Sequence, residues 1–414
     1  MTVKANMEAV RGDGPGDAPA DRRLLLTLPL AIAAIQVVQG GADLVLAAAL
    51  ERAPDGGAVT TFGGIVALAA VGGLLVYPLA GAASDRVRAR FGRRAPVALV
   101  GALAVSVALI GLGQARSVGT IGLAYVFCLG LLPLALVPAY AAIPDRIAVE
   151  RRGAAGALVG AATMVGGIGG NLVAARFASE LELGVTVFAA ILVGGVAAFV
   201  LLGRSDAGDV PDPDAPAPSP GAAAREPARG PDFAWVAVGR FALFVGYLAI
   251  VGLVYYVLRD HAGEPEPAPG VARFAVVSGI ATIAAALLTG PWSDRVDRRR
   301  PFVIAAGILV AAGALVSLVI PSLAGVLVSG AVIGLGFGTY LAVGTALATL
   351  VLPSRARSGR DIGLIGLASG AALAIAPVAG SAVAAAFGYP ALFGLAALAG
   401  LASAAVTLPI RSVR

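Results

Sequence analysis

The chain has 414 residues, 58% of them hydrophobic and only 13% charged, with a mean hydropathy of +0.90; soluble globular proteins carry about a quarter charged residues, so that class is excluded. The net charge is +6, but the arginines are scattered over many short breaks and form no stripe interleaved with aromatics, which argues against nucleic acid as a partner. The single cysteine, Cys128, lies inside an apolar run, which excludes an internal disulfide and a thiol metal cluster.

The apolar residues come in runs of about 20, the length of helix that crosses ~30 Å of hydrocarbon. A polar tail at 1–23 precedes a run too long for the apolar core of a cleavable signal peptide, so none is expected. Spans are then predicted at 24–50, 60–83, 97–115, 118–142, 154–177 and 183–203. A stretch rich in Asp, Pro and Ala at 204–232 cannot bury a core and reads as a disordered linker. Six further spans are predicted at 233–258, 271–292, 302–319, 322–347, 362–385 and 389–410, leaving a short tail at 411–414. The predicted fold is an all-α membrane protein of twelve helices in two six-helix halves, 24–203 and 233–410. With an even number of spans, 24 of the 30 basic residues fall on the side of the two termini. Basic residues near span ends stay cytoplasmic, so both termini are predicted to be cytoplasmic and the chain to sit in the inner membrane.

The halves also repeat in sequence. Gly81-Ala-Ala-Ser84-Asp85-Arg86-Val87 returns as Gly290-Pro-Trp-Ser293-Asp294-Arg295-Val296, an offset of 209 residues, and the same offset relates Pro144 to Pro353, Arg146 to Arg355 and Arg151 to Arg360. Each basic segment therefore recurs six spans later, which is a duplication with parallel repeats.

A glycine, three residues, Asp-Arg and a basic turn, placed between the second and third spans and again between the eighth and ninth, resemble the signature loop of the major facilitator superfamily. The first copy, running from Ser84 through Arg88, Arg90, Arg93 and Arg94 to Pro96, resembles the form in sugar symporters of the glycoside–pentoside–hexuronide and sucrose type. The segments Pro144-Asp145-Arg146 to Arg151-Arg152-Gly153 and Leu352-Pro353 to Gly359-Arg360-Asp361 are similar to that branch as well. The resemblance implies that Asp85 faces the eleventh helix and Asp294 the fifth, making Arg360 and Arg152 their candidate partners. With Gly81, Arg86, Arg93, Arg94, Gly290 and Arg295 these form a candidate cytoplasmic gate. The alternative is that the arginines only set topology.

The resemblance further implies that helices 1, 4, 7 and 10 line a central cavity. Gln36, Gln39 and Asp43 lie at i, i+3 and i+7 on the first, sharing a face. An intramembrane carboxylate marks a functional site by default, so Asp43 is the candidate proton carrier; the alternative is solvation at the outer surface. Arg240 lies well inside the seventh span on one face with Phe244, Tyr247 and Tyr255, suited to a hydroxyl-rich or anionic solute. Tyr125 and Tyr140 on the fourth span, Phe337, Tyr340 and Thr345 on the tenth, and Asn171 on the fifth add rings and polar groups. Sodium-coupled members of the sugar branch use carboxylates on the second and fourth helices. Residues 60–83 and 119–143 contain no acid, which leaves a proton as the expected coupling ion.

No phosphate-cradling G-x-x-x-x-G-K-[ST] is present, so ATP-driven pumping by this chain is not expected. Gly334-Leu-Gly336-Phe-Gly338 lies within an apolar run and reads as close helix packing rather than a dinucleotide loop. His261 is expected to be a solvated loop residue, and no nucleophile and base pair is visible. The sequence thus predicts a monomeric secondary transporter of a small solute without cofactors. A proton-coupled sugar symporter leads, a drug or metabolite efflux antiporter is the alternative, and a non-transporting sensor comes from another class.

Overall fold

The computed structural model describes residues 19–54, 58–91, 95–147, 152–202, 231–296, 298–344, 347 and 358–410. Arg93, Arg94, Thr345 and most of the predicted tails and linker lie outside that set; at Arg152 and Arg360 the helix backbone is described and the side chains are not.

Among the described residues twelve helices are long and apolar enough to cross a membrane: α1 (Arg23–Glu51), α2 (Val59–Arg88), α3 (Pro96–Gln114), α4 (Val118–Ile143), α5 (Ala155–Arg176), α6 (Leu181–Leu202), α7 (Asp232–Val251), α8 (Pro267–Val296), α9 (Arg300–Val319), α10 (Leu323–Gly344), α11 (Leu367–Phe387) and α12 (Tyr389–Thr407). Each falls on a predicted run, as it must where no water is present to satisfy backbone amides and carbonyls. Large apolar side chains point outward, Val107 at 71% and Leu287 at 70% exposure among them, which is the inverse of a soluble protein and suits contact with lipid. Local chemistry sets the breaks. Ser117 and Thr120 form a reciprocal capping box at the start of α4, and Pro133, which has no amide proton, divides that span after Leu131. Gly388 takes φ of 83° to turn α11 into α12.

Two elements differ from the sequence expectation. The Ser-Asp-Arg-Val segments are helical, not loops: the helix that carries α2 runs through Pro78 to Phe91 and α8 runs through Pro291 to Val296, so the charged residues extend the helices beyond the apolar runs. The seventh span ends at Val251 instead of continuing to 258. There the Gly252 amide closes on the Leu248 carbonyl at 2.9 Å and the Leu253 amide on Ile250 at 3.2 Å, after which Val254–Tyr256 and a wider turn at Val257–His261 start a new direction.

The packing repeats with the sequence. α1 packs on α5 and α6, α2 on α4, and α3 on α4 and α6; six helices later α7 packs on α11 and α12, α8 on α10, and α9 on α10 and α12. The two sets meet where α2 packs on α11 and α5 on α8, contacts that the repeat exchanges with each other. Small residues bring the helices together. A Cβ at Gly40 or Gly170 on the α1–α5 contact would collide with Gly167 and Val37, and one at Gly334 or Gly338 with the Ser278 and Thr282 carbonyls of α8. The glycine-rich run on α10 is therefore a packing surface, as its sequence setting indicated.

Candidate functional site

The halves touch unevenly along their length. Toward the end that carries Glu51 and Arg259, a Cβ at Gly63 would collide with Pro377 and Ser381 of α11, and one at Gly279 with Ile168 of α5. Toward the basic end, which carries Asp85 and Asp294, a Cβ at Gly156, Gly160 or Gly370 would meet nothing within 4 Å. The halves are thus in close contact at the Glu51 end, while these three glycines toward the basic end have open space beside them.

The joined end holds a polar latch that the sequence reading missed. Arg259 donates to Glu51 at 3.1 Å and grips Asp260 through Nε at 2.5 Å and Nη2 at 3.0 Å. The Tyr389 hydroxyl donates to the same Asp260 carboxylate at 2.6 Å. The Asp260 hydrogen bond pushes the guanidinium further above its ordinary range, against the smaller opposing effect of burial, so the cation persists at any physiological pH. Beneath it the guanidinium lies 4.7 Å above the Tyr256 ring, and Tyr256 meets Phe62 of α2 edge-on at 5.1 Å. Tyr255, expected on the cavity face with Arg240, instead bonds to Glu51, because the break at Gly252 rotates it into the latch. His261 is half-buried rather than solvated, with Nε2 3.1 Å from the Ser317 carbonyl and its ring 4.9 Å from Phe393. Glu51, Asp260 and Tyr389 come from three remote segments, and no local pattern joins them.

Below the latch lie two cavities that share Gln39 and Asp43. One of about 350 Å³ runs between the halves and is lined from α1, α5, α7, α8 and α10, with Thr163, Asn171, Tyr247, Phe274, Ser278 and Phe337 on its walls. The other, about 260 Å³, is bounded by α1, α2, α4 and α11 and includes Tyr77, Leu132 and Gly370. Asp43 stands at their junction, not at an outer surface, and accepts a 2.5 Å hydrogen bond from Tyr125. Tyr125 is fully buried; it holds the carboxylate from behind α1 instead of offering a stacking face, because α4 packs against that side of the helix.

The remaining expected cavity residues divide into three groups. Tyr247 and Phe337 line the larger cavity and stack on each other, centroids 3.7 Å apart and planes 9° off parallel. Arg240, Phe244 and Tyr340 lie outside the lining of these two cavities and form their own cluster. Arg240 Nε donates to Ser369 Oγ of α11 at 2.6 Å, and its guanidinium lies 5.1 Å from the Phe244 ring and 5.9 Å from Tyr340. The cluster joins the cavity through Phe244, whose ring meets Phe337 edge-on at 5.3 Å. Gln36 does not reach either cavity. Its Cβ faces Gly166 of α5, where the close approach of the two helices claims that stretch of the face.

At the basic end, Asp294 accepts a 3.0 Å hydrogen bond from Arg299 of its own half, and Arg88 pairs with Asp145 at 3.0 Å between the ends of α2 and α4. Arg86, Arg295 and Asp85 are exposed there, and Gly81 and Gly290 are half-buried in the helices beneath them.

A family model described as Major Facilitator Superfamily matches residues 31–277 and 270–413. No curated protein matches the chain by sequence. Among solved structures, the chain is similar to a bacterial homolog of the human lysosomal transporter Spinster in an inward-facing and unoccupied conformation, at 17% identity over 95% of each chain and a TM-score of 0.71. It is also similar to a POT family transporter in complex with a thioalcohol-conjugated peptide, at 14% identity over 93% of this chain and 95% of that one, TM-score 0.72. A peptide transporter POT in complex with sulfate gives 14% identity over 94% and 93%, also at 0.72. At these identities the likeness is one of fold.

Proposed function

The chain belongs to the Major Facilitator Superfamily, a family of transporters rather than enzymes, and we propose that it is a secondary active transporter of a small solute that works by alternating access and couples to a proton on Asp43. The observation that carries this reading is the position of Asp43: a hydrogen-bonded carboxylate at the junction of two cavities, between halves that are latched at one end. A carboxylate in hydrocarbon is costly unless it is protonated or paired, and that cost couples its occupancy to the rocking of the halves.

On the same reading the protein is a monomer in the plasma (inner) membrane with the basic end and both termini in the cytoplasm, as the charge asymmetry predicts, and its conformation is inward-facing. Its likeness to a structure described as inward-facing supports that conformation. In the opposite state the latch opens and the basic end closes, bringing Asp85 toward Arg360 and Asp294 toward Arg152. Gly81, Gly290, Arg86, Arg295, Arg93 and Arg94 complete that gate.

Two solute classes are compatible with this cycle. The basic segments support a sugar symporter, by their resemblance to the glycoside–pentoside–hexuronide and sucrose branch. The lining of the larger cavity, mostly apolar and aromatic, supports export of a drug or metabolite in exchange for protons. Reconstitution into liposomes with a solute panel and an imposed pH gradient tests the proposal: uphill movement of one solute class, abolished by Asp43→Asn while downhill exchange persists, is the expected result. Uphill transport that survives Asp43→Asn removes the proton site. Folded protein that gives no counterflow with any class removes the transport reading.

A further inference from the structure

The geometry points to a lipophilic organic monocation as the solute, exchanged one for one with the proton of Asp43; this rests on Asp43 being the proton site proposed above. Among the described residues that line the 350 Å³ cavity, Asp43 is the one charged side chain. The cavity is large enough for a drug-sized molecule.

Its polar walls are few and each already makes a hydrogen bond within the protein. Thr163 Oγ1 donates to the Val159 carbonyl at 2.9 Å, Asn171 Nδ2 to Gly167 at 3.1 Å, and Thr282 Oγ1 to Gly334 at 3.2 Å, while Ser278 bonds to Tyr247. The donors of these hydroxyls are thus directed at backbone or at each other, which leaves mainly acceptor oxygens, the rest of the Asn171 amide and Gln39 beside Asp43, a sparse set for a molecule ringed with hydroxyls, whose buried groups each need a partner. What the cavity offers is a carboxylate from one half, the rings of Tyr247, Phe274 and Phe337 from the other, and the soft thioether of Met164. A cation with a flat apolar body satisfies all of these, by ion pairing and by cation–π contact.

The exchange balances. When the cation enters, the O–H bond of Asp43 breaks, the proton leaves to water on the open side, and the carboxylate pairs with the cation. When a proton returns, the O–H bond reforms and the cation departs. The loaded site is neutral in both forms, so neither carries a bare carboxylate across the hydrocarbon, and one cycle moves no net charge. The other titratable groups facing Asp43 are Tyr125 from α4, with Cys128 one turn on, Tyr77 from α2 and Tyr247 from α7; no described residue lining either cavity is a base.

Ethidium, a planar monocation, is the probe, added to purified full-length protein while fluorescence polarisation is followed between about pH 6 and 8, with glucose as a neutral competitor. The expected result is affinity that rises with pH by up to about tenfold per unit while Asp43 is protonated, as competition with one proton requires, no competition by glucose, and release of about one proton per ethidium bound in weak buffer. Asp43→Asn should bind at least about tenfold more weakly, without pH dependence or proton release. Asp43→Glu should retain both, which separates loss of charge from loss of fold. Phe337→Ala should weaken binding about three- to tenfold and leave proton release intact. Ethidium that does not bind, or binds Asp43→Asn with unchanged affinity and pH dependence, overturns the inference. If glucose is instead driven uphill by a pH gradient in an Asp43-dependent way, the cation inference falls and the proton site stands. If ethidium moves uphill unimpaired in Asp43→Asn, both fall.

Discussion

Arg259 of the second half donates a 3.1 Å hydrogen bond to Glu51 of the first, and it is a charged link between the halves at the end where they are joined. Both side chains are about one-third exposed, at 28% and 37%, so the pair contributes on the order of 0.5–1 kcal/mol. Glu51→Gln should therefore shift the balance about two- to fivefold toward the state open at that end. Spin labels at Thr60 and Pro265 report it: the long-distance population should grow in Glu51→Gln and shrink again in the charge-swapped double variant Glu51→Arg with Arg259→Glu. An unchanged distance distribution in the single variant would show that the rings of Phe62 and Tyr256 close this end unaided.

Tyr125 is placed to hold Asp43 rather than to touch solute. Tyr125→Phe removes one hydrogen bond to a carboxylate, worth about 1.5–3 kcal/mol, and leaves the ring that fills the space. Proton-driven transport in liposomes should fall roughly tenfold or more with little change in thermal midpoint. Equal loss of coupled transport and of downhill exchange would instead point to a packing role.

The close contact of α1 and α5 predicts a contrast between glycines on one helix. Gly170→Val on α5 should destabilise by about 1–3 kcal/mol by overpacking against Val37. Gly160→Val, which faces open space, should leave the thermal midpoint within a degree or two in detergent.

The bond from Arg240 to Ser369 braces α7 against α11. Ser369→Ala and Arg240→Lys should then lower transport by similar factors, since lysine has the charge without the guanidinium Nε. A much larger loss in Arg240→Ala than in either would assign Arg240 a direct role toward the solute. Initial rates of counterflow separate these outcomes.

The spans were legible in sequence because hydrocarbon tolerates only long uncharged helices, and the duplication was legible because Asp85 and Asp294 sit in matching words. Asp43 announced itself as an acid in an apolar run. Its partner Tyr125 did not, being 82 residues away on a different helix. The break at Gly252 was also hidden: one glycine among eight apolar neighbours gives no periodic signal, and only the turn it permits moves Tyr255 from the cavity to the latch. The basic words misled in one respect, since charges read as a loop continue as helix when nothing interrupts them.

The 209-residue offset that pairs Asp85 with Asp294 also pairs Glu51 with Asp260, the two carboxylates that Arg259 holds. A perfectly symmetric duplicate would bring two like charges together on its pseudo-axis and drive that end apart. The counterpart of Arg259 in the first half is Leu50, so a difference between the two halves places a cation between the matched acids and offsets their repulsion.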